Sequence, residues 1–223
     1  MARLAADEMR DIVRDMLGGE TSETLSDTRI LRYLNMGYLK TAAKFKPDQL
    51  KAATPTTITT ADGTGSYELS IDTVLCVDDL INDTSDYRLY SFSDTQHHSY
   101  NQGADATGSP IYYRVDGVGS NNRFNISLFP VPDAVYTINV EYFKKPTELK
   151  LSPSATSTVL PEQLDESIMY RATYHGWMQA GDPDRAQKYL QGARMNDSDV
   201  MDTIHVGSET PMYLGSRVAS EQR

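Results

Sequence analysis

The spacing of apolar positions changes character twice along the chain. From residue 2 to about 46 it is helical. Over Ala2–Leu17 the apolar residues Leu4, Ala5, Met9, Ile12, Val13, Met16 and Leu17 recur at helical intervals, and Gly18-Gly19 then ends the run. Ser26 is a good N-cap for a second helix, with Asp27 favouring the dipole of its first turn and Leu25 and Ile30 placed for a hydrophobic staple. Ile30, Leu34, Tyr38 and Phe45 lie on or near one face, and Pro47 marks the end.

Between about 53 and 159 the period moves toward two, and Thr, Ser, Tyr, Val, Asn, Asp and Gly dominate. Strands are predicted at Thr56–Thr60, Val74–Ile81, Tyr87–Ser91, Ile111–Asp116, Arg123–Phe129 and Tyr136–Phe143. Residues 82–86 and 117–122 read as hairpin loops. In the last strand Tyr136, Ile138, Val140 and Tyr142 alternate onto one face, as in an antiparallel sheet with its other face in water.

Helix returns at Pro161, a proline in first helical position with Glu162, Asp165 and Glu166 behind it, and stops at Gly181. Asp182 caps a last helix opening on Pro183, with Ala186, Tyr189, Leu190 and Ala193 at helical spacing. From Ile204 onward no period is legible, and Gly207, Pro211 and Gly215 break any regular element. The fold expected is α+β: a helical bundle from the N- and C-terminal helices, an inserted antiparallel β domain and an extended C-terminal arm. Its parts are 1–50, 51–159, 160–203 and 204–223.

A chain of 223 residues buries roughly 70% of its unfolded surface, so it needs no disulfide or metal staple. The single cysteine, Cys76, excludes an intrachain disulfide and a four-cysteine zinc site, and suits a reducing cytoplasm. Flanked by apolar residues on a strand, it reads as buried and structural. Neither a secretory signal nor a stretch long and apolar enough to span a membrane is expected. The net charge of −10 argues against nucleic-acid binding by phosphate neutralisation, yet an acidic wall repels phosphates and suits a conduit.

Catalytic motifs are lacking. The sequence contains no GxGxxG after a strand, no GxxxxGK[ST], no GxSxG and no HExxH. Asp94, His97 and His98 could form a metal site but read as a solvated loop, and no cofactor is implied. The acidic pairs Asp78-Asp79, Asp165-Glu166, Asp182 with Asp184, and Asp197 with Asp199 read as caps and solvated faces rather than a carboxylate catalytic pair. Trp177 and the helical tyrosines read as core, a few of them facing a neighbouring subunit. No catalytic, cofactor or metal residue is therefore expected.

Three stretches nevertheless carry a pattern. One is Ile126-Ser-Leu-Phe-Pro-Val-Pro-Asp, leading through Tyr136-Thr-Ile-Asn-Val-Glu-Tyr-Phe to Pro146. Another is Leu160-Pro-Glu-Gln followed by Gly181-Asp-Pro-Asp-Arg-Ala-Gln-Lys-Tyr-Leu. The third is Leu25-Ser-Asp-Thr-Arg-Ile-Leu-Arg-Tyr-Leu-Asn. Pro130 and Pro132 fix φ and remove donors, ending one strand, and Asp133 can bond back to the local backbone. In this order the stretches resemble the head-to-tail adaptor (connector) proteins of tailed bacteriophages, over most of the chain but thinly across 82–110 and the tail. The resemblance implies a structural virion protein of the neck rather than an enzyme, made in the host cytoplasm. It would form a closed ring of about twelve copies, bind the portal and tail (nozzle or fibre) proteins, and let genomic DNA pass without specific binding or membrane contact. Met212, Tyr213 and Leu214, the most apolar cluster of the arm, are the expected anchors on the portal or a neighbouring subunit. The alternatives are another neck or tail subunit (stopper, tail-tube or fibre-attachment protein) and a cytoplasmic enzyme whose site leaves no motif.

Overall fold

The computed structural model describes residues 3–19, 25–69, 73–92, 106–118 and 123–206. Contacts divide the chain into two units, one made of Met1–Gly37 with Leu149–Arg223 and the other of Tyr38–Glu148. The fold is α+β, with four helices and two four-stranded sheets among the described residues.

In the first unit, helix α1 (Ala6–Met16) buries Ala6, Met9 and Val13 at helical spacing. The Glu8 carboxylate accepts the Ala5 backbone N–H at 2.8 Å, satisfying one orphan donor at the start. Helix α2 (Asp27–Phe45) begins after Ser26, as the sequence predicts, and its residues to Gly37 belong to this unit, those from Tyr38 to the second. Ile30, Tyr33, Leu34, Tyr38, Thr41 and Ala42 form its buried stripe, whereas Phe45 is only half-buried. Pro161 opens a short 3-10 turn, Glu162–Leu164, so that helix α3 (Asp165–Ala180) starts four residues after the proline instead of on it. Gly181 ends α3 in the left-handed region at φ 81°, a conformation glycine adopts without Cβ strain. Asp182 then accepts the Arg185 N–H at 3.0 Å and caps helix α4 (Pro183–Val206). This helix outruns the boundary expected at 203. Ile204, His205 and Val206 tolerate helical geometry, and the first strong breaker is Gly207, so the span expected as arm begins helical.

The helices of this unit approach closely where glycine leaves room. A Cβ on Gly37 of α2 would stand 2.6 Å from the Ile168 carbonyl oxygen of α3, and one on Gly176 of α3 would meet Leu17 at the same distance. Between α3 and α4 lies a buried polar group. Arg171 donates to both carboxylate oxygens of fully buried Asp197, and the Ser167 hydroxyl donates to the same carboxylate at 2.7 Å.

The second unit holds the strands. Sheet one has the order β1-β8-β3-β4, comprising β1 (Thr56–Thr59), β8 (Thr137–Lys144), β3 (Val74–Asn82) and β4 (Tyr87–Arg88). Sheet two has the order β2-β7-β6-β5, comprising β2 (Ser66–Glu68), β7 (Phe124–Phe129), β6 (Tyr112–Val118) and β5 (Tyr90–Ser91). Residues of both sheets meet in one apolar core that includes Ile58, Leu80, Leu89, Tyr113, Ile126, Leu128, Ile138 and Val140. The alternation expected in β8 buries Ile138, Val140 and Tyr142, with Tyr136 half-buried beside them.

Three features depart from the sequence reading. The strand expected over Tyr87–Ser91 is two, because the chain changes sheets at Leu89, whose side chain drops into the core while its N–H donates to Leu80 at 2.8 Å. The second half, β5, pairs with β6 in parallel, so the β region is not purely antiparallel. Strand β2 was not foreseen, being three residues long and set among turn-forming residues after Gly63 and Gly65. The loop after Asn82 is as expected a hairpin. Buried Asn82 accepts the Ser85 N–H at 3.2 Å and donates to the Tyr87 hydroxyl, and Asp86 takes φ 52°.

Candidate interaction surface

Asp78 and Asp79 on β3 and Glu141 on β8 converge closely enough to hold a cation. The place is already neutralised, however. Lys51 Nζ lies 3.0 Å from Asp78 and 2.8 Å from Glu141, and Arg88 pairs with Asp79. These two carboxylates hold the Lys51 ammonium well above the usual lysine range. The cluster is thus an ion-pair network tying β3 to its neighbours.

Two other acidic residues overturn their reading as solvated faces. Asp197 is sealed between α3 and α4, and Asp165 is buried at the start of α3. No local signal marks them: Asp197 stands between Asn196 and Ser198, and Asp165 follows Leu164 at a helix start, where exposed carboxylates are common. Burial holds the Asp165 carboxyl above the usual carboxylate range, against the opposing effect of bonds from the Thr158 hydroxyl at 2.8 Å and the Leu4 backbone N–H. The sign follows from linkage. An unfolded chain ionises this group near its ordinary 3.8, the folded chain at higher pH, so stability falls as pH rises through that interval. Asp165→Asn keeps an acceptor oxygen and removes the charge. It is expected to raise the melting temperature at neutral pH, the gain vanishing below pH 3.8. Calorimetry across pH checks this, and an unchanged or lower melting temperature at pH 7 refutes it.

The remaining candidates separate cleanly. Cys76 is half-buried, not fully buried as expected, and burial pushes its thiol up, away from nucleophilic character. His175 packs edge-on to Tyr174 at 5.1 Å. Asp133 accepts the Tyr136 hydroxyl at 2.7 Å, a side-chain partner in place of the local backbone bond expected. Asp94, His97, His98, Met212, Tyr213 and Leu214 lie outside the described residues.

What the helical unit does present is a groove of about 610 Å³ walled by the end of α1, by α3 and by α4. Its aromatic residues are Tyr170, Trp177 and Tyr189, each half-buried where the sequence suggested core. The Tyr170 and Tyr189 rings stand 6.2 Å apart, and the Tyr189 hydroxyl donates to the Met16 carbonyl at 3.0 Å. The Arg185 guanidinium lies over the Trp177 ring at 4.6 Å, and Lys188 lines the same groove on the exposed side of α4. The Trp177 Nε1–H is buried without an acceptor among the described residues. A second groove of about 580 Å³ shares Met16 and is acidic, with Glu162, Asp165 and Glu166. Aromatic residues, Met and Arg, all present in the first groove, are the side chains enriched at protein-binding surfaces.

Comparison with protein-family models places the chain among phage adaptor proteins. It belongs to the SU10 adaptor protein family, whose model matches residues 4–212 of the 223. The resemblance read from the strand–proline turn, the Leu-Pro-Glu start and the second helix is thereby borne out, and the match covers residues of both contact units. No curated protein matches the chain.

Proposed function

We propose that the chain is the subunit of an adaptor ring that joins the head portal to the tail and lines the DNA channel of the virion neck. The observation that carries this reading is the family match over residues 4–212. The net charge of −10 supports it, because an acidic wall keeps the genome from sticking as it passes. The fold supports it as well. Most polar groups singled out from the sequence are absorbed into caps, ion pairs and buried networks, which serve stability. In this reading the residues beyond Val206 contact the portal or an adjacent subunit, with Met212, Tyr213 and Leu214 as anchors.

The test is assembly. Full-length protein mixed with purified portal rings is expected to add a ring of about twelve copies, read by native mass spectrometry. Protein truncated after Val206 is expected to keep its circular dichroism spectrum and fail to assemble. Full-length protein that leaves portals unoccupied at high concentration would refute the reading. Truncated protein that assembles normally would remove the anchoring role of residues 212–214.

A further inference from the structure

We propose that the aromatic–cationic groove of the helical unit is a docking site for residues 208–214, Ser-Glu-Thr-Pro-Met-Tyr-Leu, of a second copy of this chain. The inference rests on the ring reading for the presence of adjacent copies, and names the surface through which one copy holds the next.

The groove is equipped for a segment of this kind. Tyr170, Tyr189 and Trp177 offer ring faces and edges, and Met16 adds a deformable apolar contact. Gly192 keeps the floor open, since a Cβ there would press on the Tyr170 ring at 3.2 Å. Arg185 and Lys188 set two cations at the α4 wall, while Asp15 lines the α1 side, so an anionic ligand group is directed to the α4 wall. Lys188 has no anionic partner among the described residues, whereas Arg185 already pairs with Asp182 across an exposed turn. A ligand that matches has an anion close in sequence to an aromatic and flanking apolar side chains. Residues 208–214 have this order: Glu209 for the cations, then Met212, Tyr213 and Leu214 for the rings. Pro211 between them favours an extended path and lowers the entropy lost on docking.

Reach decides which copy supplies the segment. Helix α4 continues to Val206, so Tyr189 lies about 26 Å back along its axis from that end. The seven residues from Val206 to Tyr213 span about 25 Å at full extension, before any is used to reverse direction. Gly192, the groove residue nearest that end, lies about 21 Å back, so the chain's own Tyr213 reaches only this near edge and only with the segment fully extended, whereas the segment of another copy does not face this limit.

Trp177 is the only tryptophan of the chain and lines the groove, so its fluorescence reports occupancy directly. A synthetic peptide of residues 207–215, which contains no tryptophan, is added to the full chain truncated after Val206. A saturable change in Trp177 emission is expected, weakened roughly tenfold by Lys188→Glu and restored when the peptide carries Glu209→Lys. In intact chains, Tyr213→Ala and Lys188→Glu are each expected to weaken self-association, measured by sedimentation. An equimolar mixture of the two variants should recover paired species, since one retains the groove and the other the segment. A peptide without effect on Trp177, or binding indifferent to Lys188→Glu, overturns the proposal. So does a mixture that associates no better than either variant alone, which would place the contact within one chain or elsewhere. Portal assembly is measured separately. If the peptide is inert while the full chain still assembles on portals, the groove assignment fails and the adaptor reading stands.

Discussion

Asp197→Ala is expected to destabilise the helical unit by about 3–5 kcal/mol, the largest effect of any single side-chain truncation proposed for this protein. The reason is the asymmetry of buried charge. Asp197 is fully buried between α3 and α4 and accepts from both terminal nitrogens of Arg171 and from the Ser167 hydroxyl. The hydroxyl in turn accepts from the Asn196 side-chain amide at 2.8 Å. Truncation takes the buried counter-charge from a guanidinium whose side chain is only 10% exposed and which keeps the Ser167 carbonyl at 3.3 Å, and the cost of burying that cation without its carboxylate exceeds the modest net gain the pair gave. The double change Arg171→Met with Asp197→Leu removes both charges and fills the volume, and is expected to recover most of the loss. Denaturant unfolding followed through Trp177, which sits in the same unit, reads both variants. An Asp197→Ala protein within about 1 kcal/mol of the parent would mean that Arg171 finds water or another acceptor.

Gly37→Ala is expected to cost about 1–3 kcal/mol, although alanine is the better helix former. Two effects oppose each other here. Helix propensity favours alanine by roughly 1 kcal/mol in a helix interior. Against that, the added Cβ would stand 2.6 Å from the Ile168 carbonyl oxygen and 3.2 Å from the Arg171 Cβ. The first of these is backbone, and no rotamer change can clear it, so α2 must move off α3 and give up packing along the contact. Gly176→Ala provides the contrast. Its added Cβ meets Leu17 side-chain carbons at 2.6 and 2.8 Å, and a leucine end can swing aside. The loss is therefore expected to be smaller than at Gly37. A Gly37→Ala protein more stable than its parent would show that the helices have slack at this crossing.

Much of the chain was legible because local signals and tertiary demands agree. The apolar stripe Ile30, Leu34 and Tyr38 is buried as its spacing predicts, and the alternation in β8 buries Ile138, Val140 and Tyr142. Asp182-Pro183 caps and starts α4 where cap chemistry says it should. The family was legible too, carried by proline turns and helix starts whose geometry is fixed within a few residues.

The candidate surface was not legible. Trp177, Tyr170 and Tyr189 are apolar enough to read as core, and only the packing of α1 and α4 against α3 leaves them half-open beside Arg185 and Lys188. The anchors Met212, Tyr213 and Leu214 were singled out by composition alone.

Period, caps and breakers act over a few residues, so the sequence by itself determined the helices and the longer strands, where most of them stop, and to which family the chain belongs. Sheet membership, the fate of charges and the shape of grooves depend on partners distant in the chain. Tertiary structure alone decided that Leu89 carries the chain from one sheet to the other, that β5 runs parallel to β6, and that Asp165 and Asp197 lie inside while Asp78 and Asp79 pair at the surface. An aspartate in a polar helix looks the same in sequence whether it meets water or a guanidinium, and only the neighbouring helix settles which.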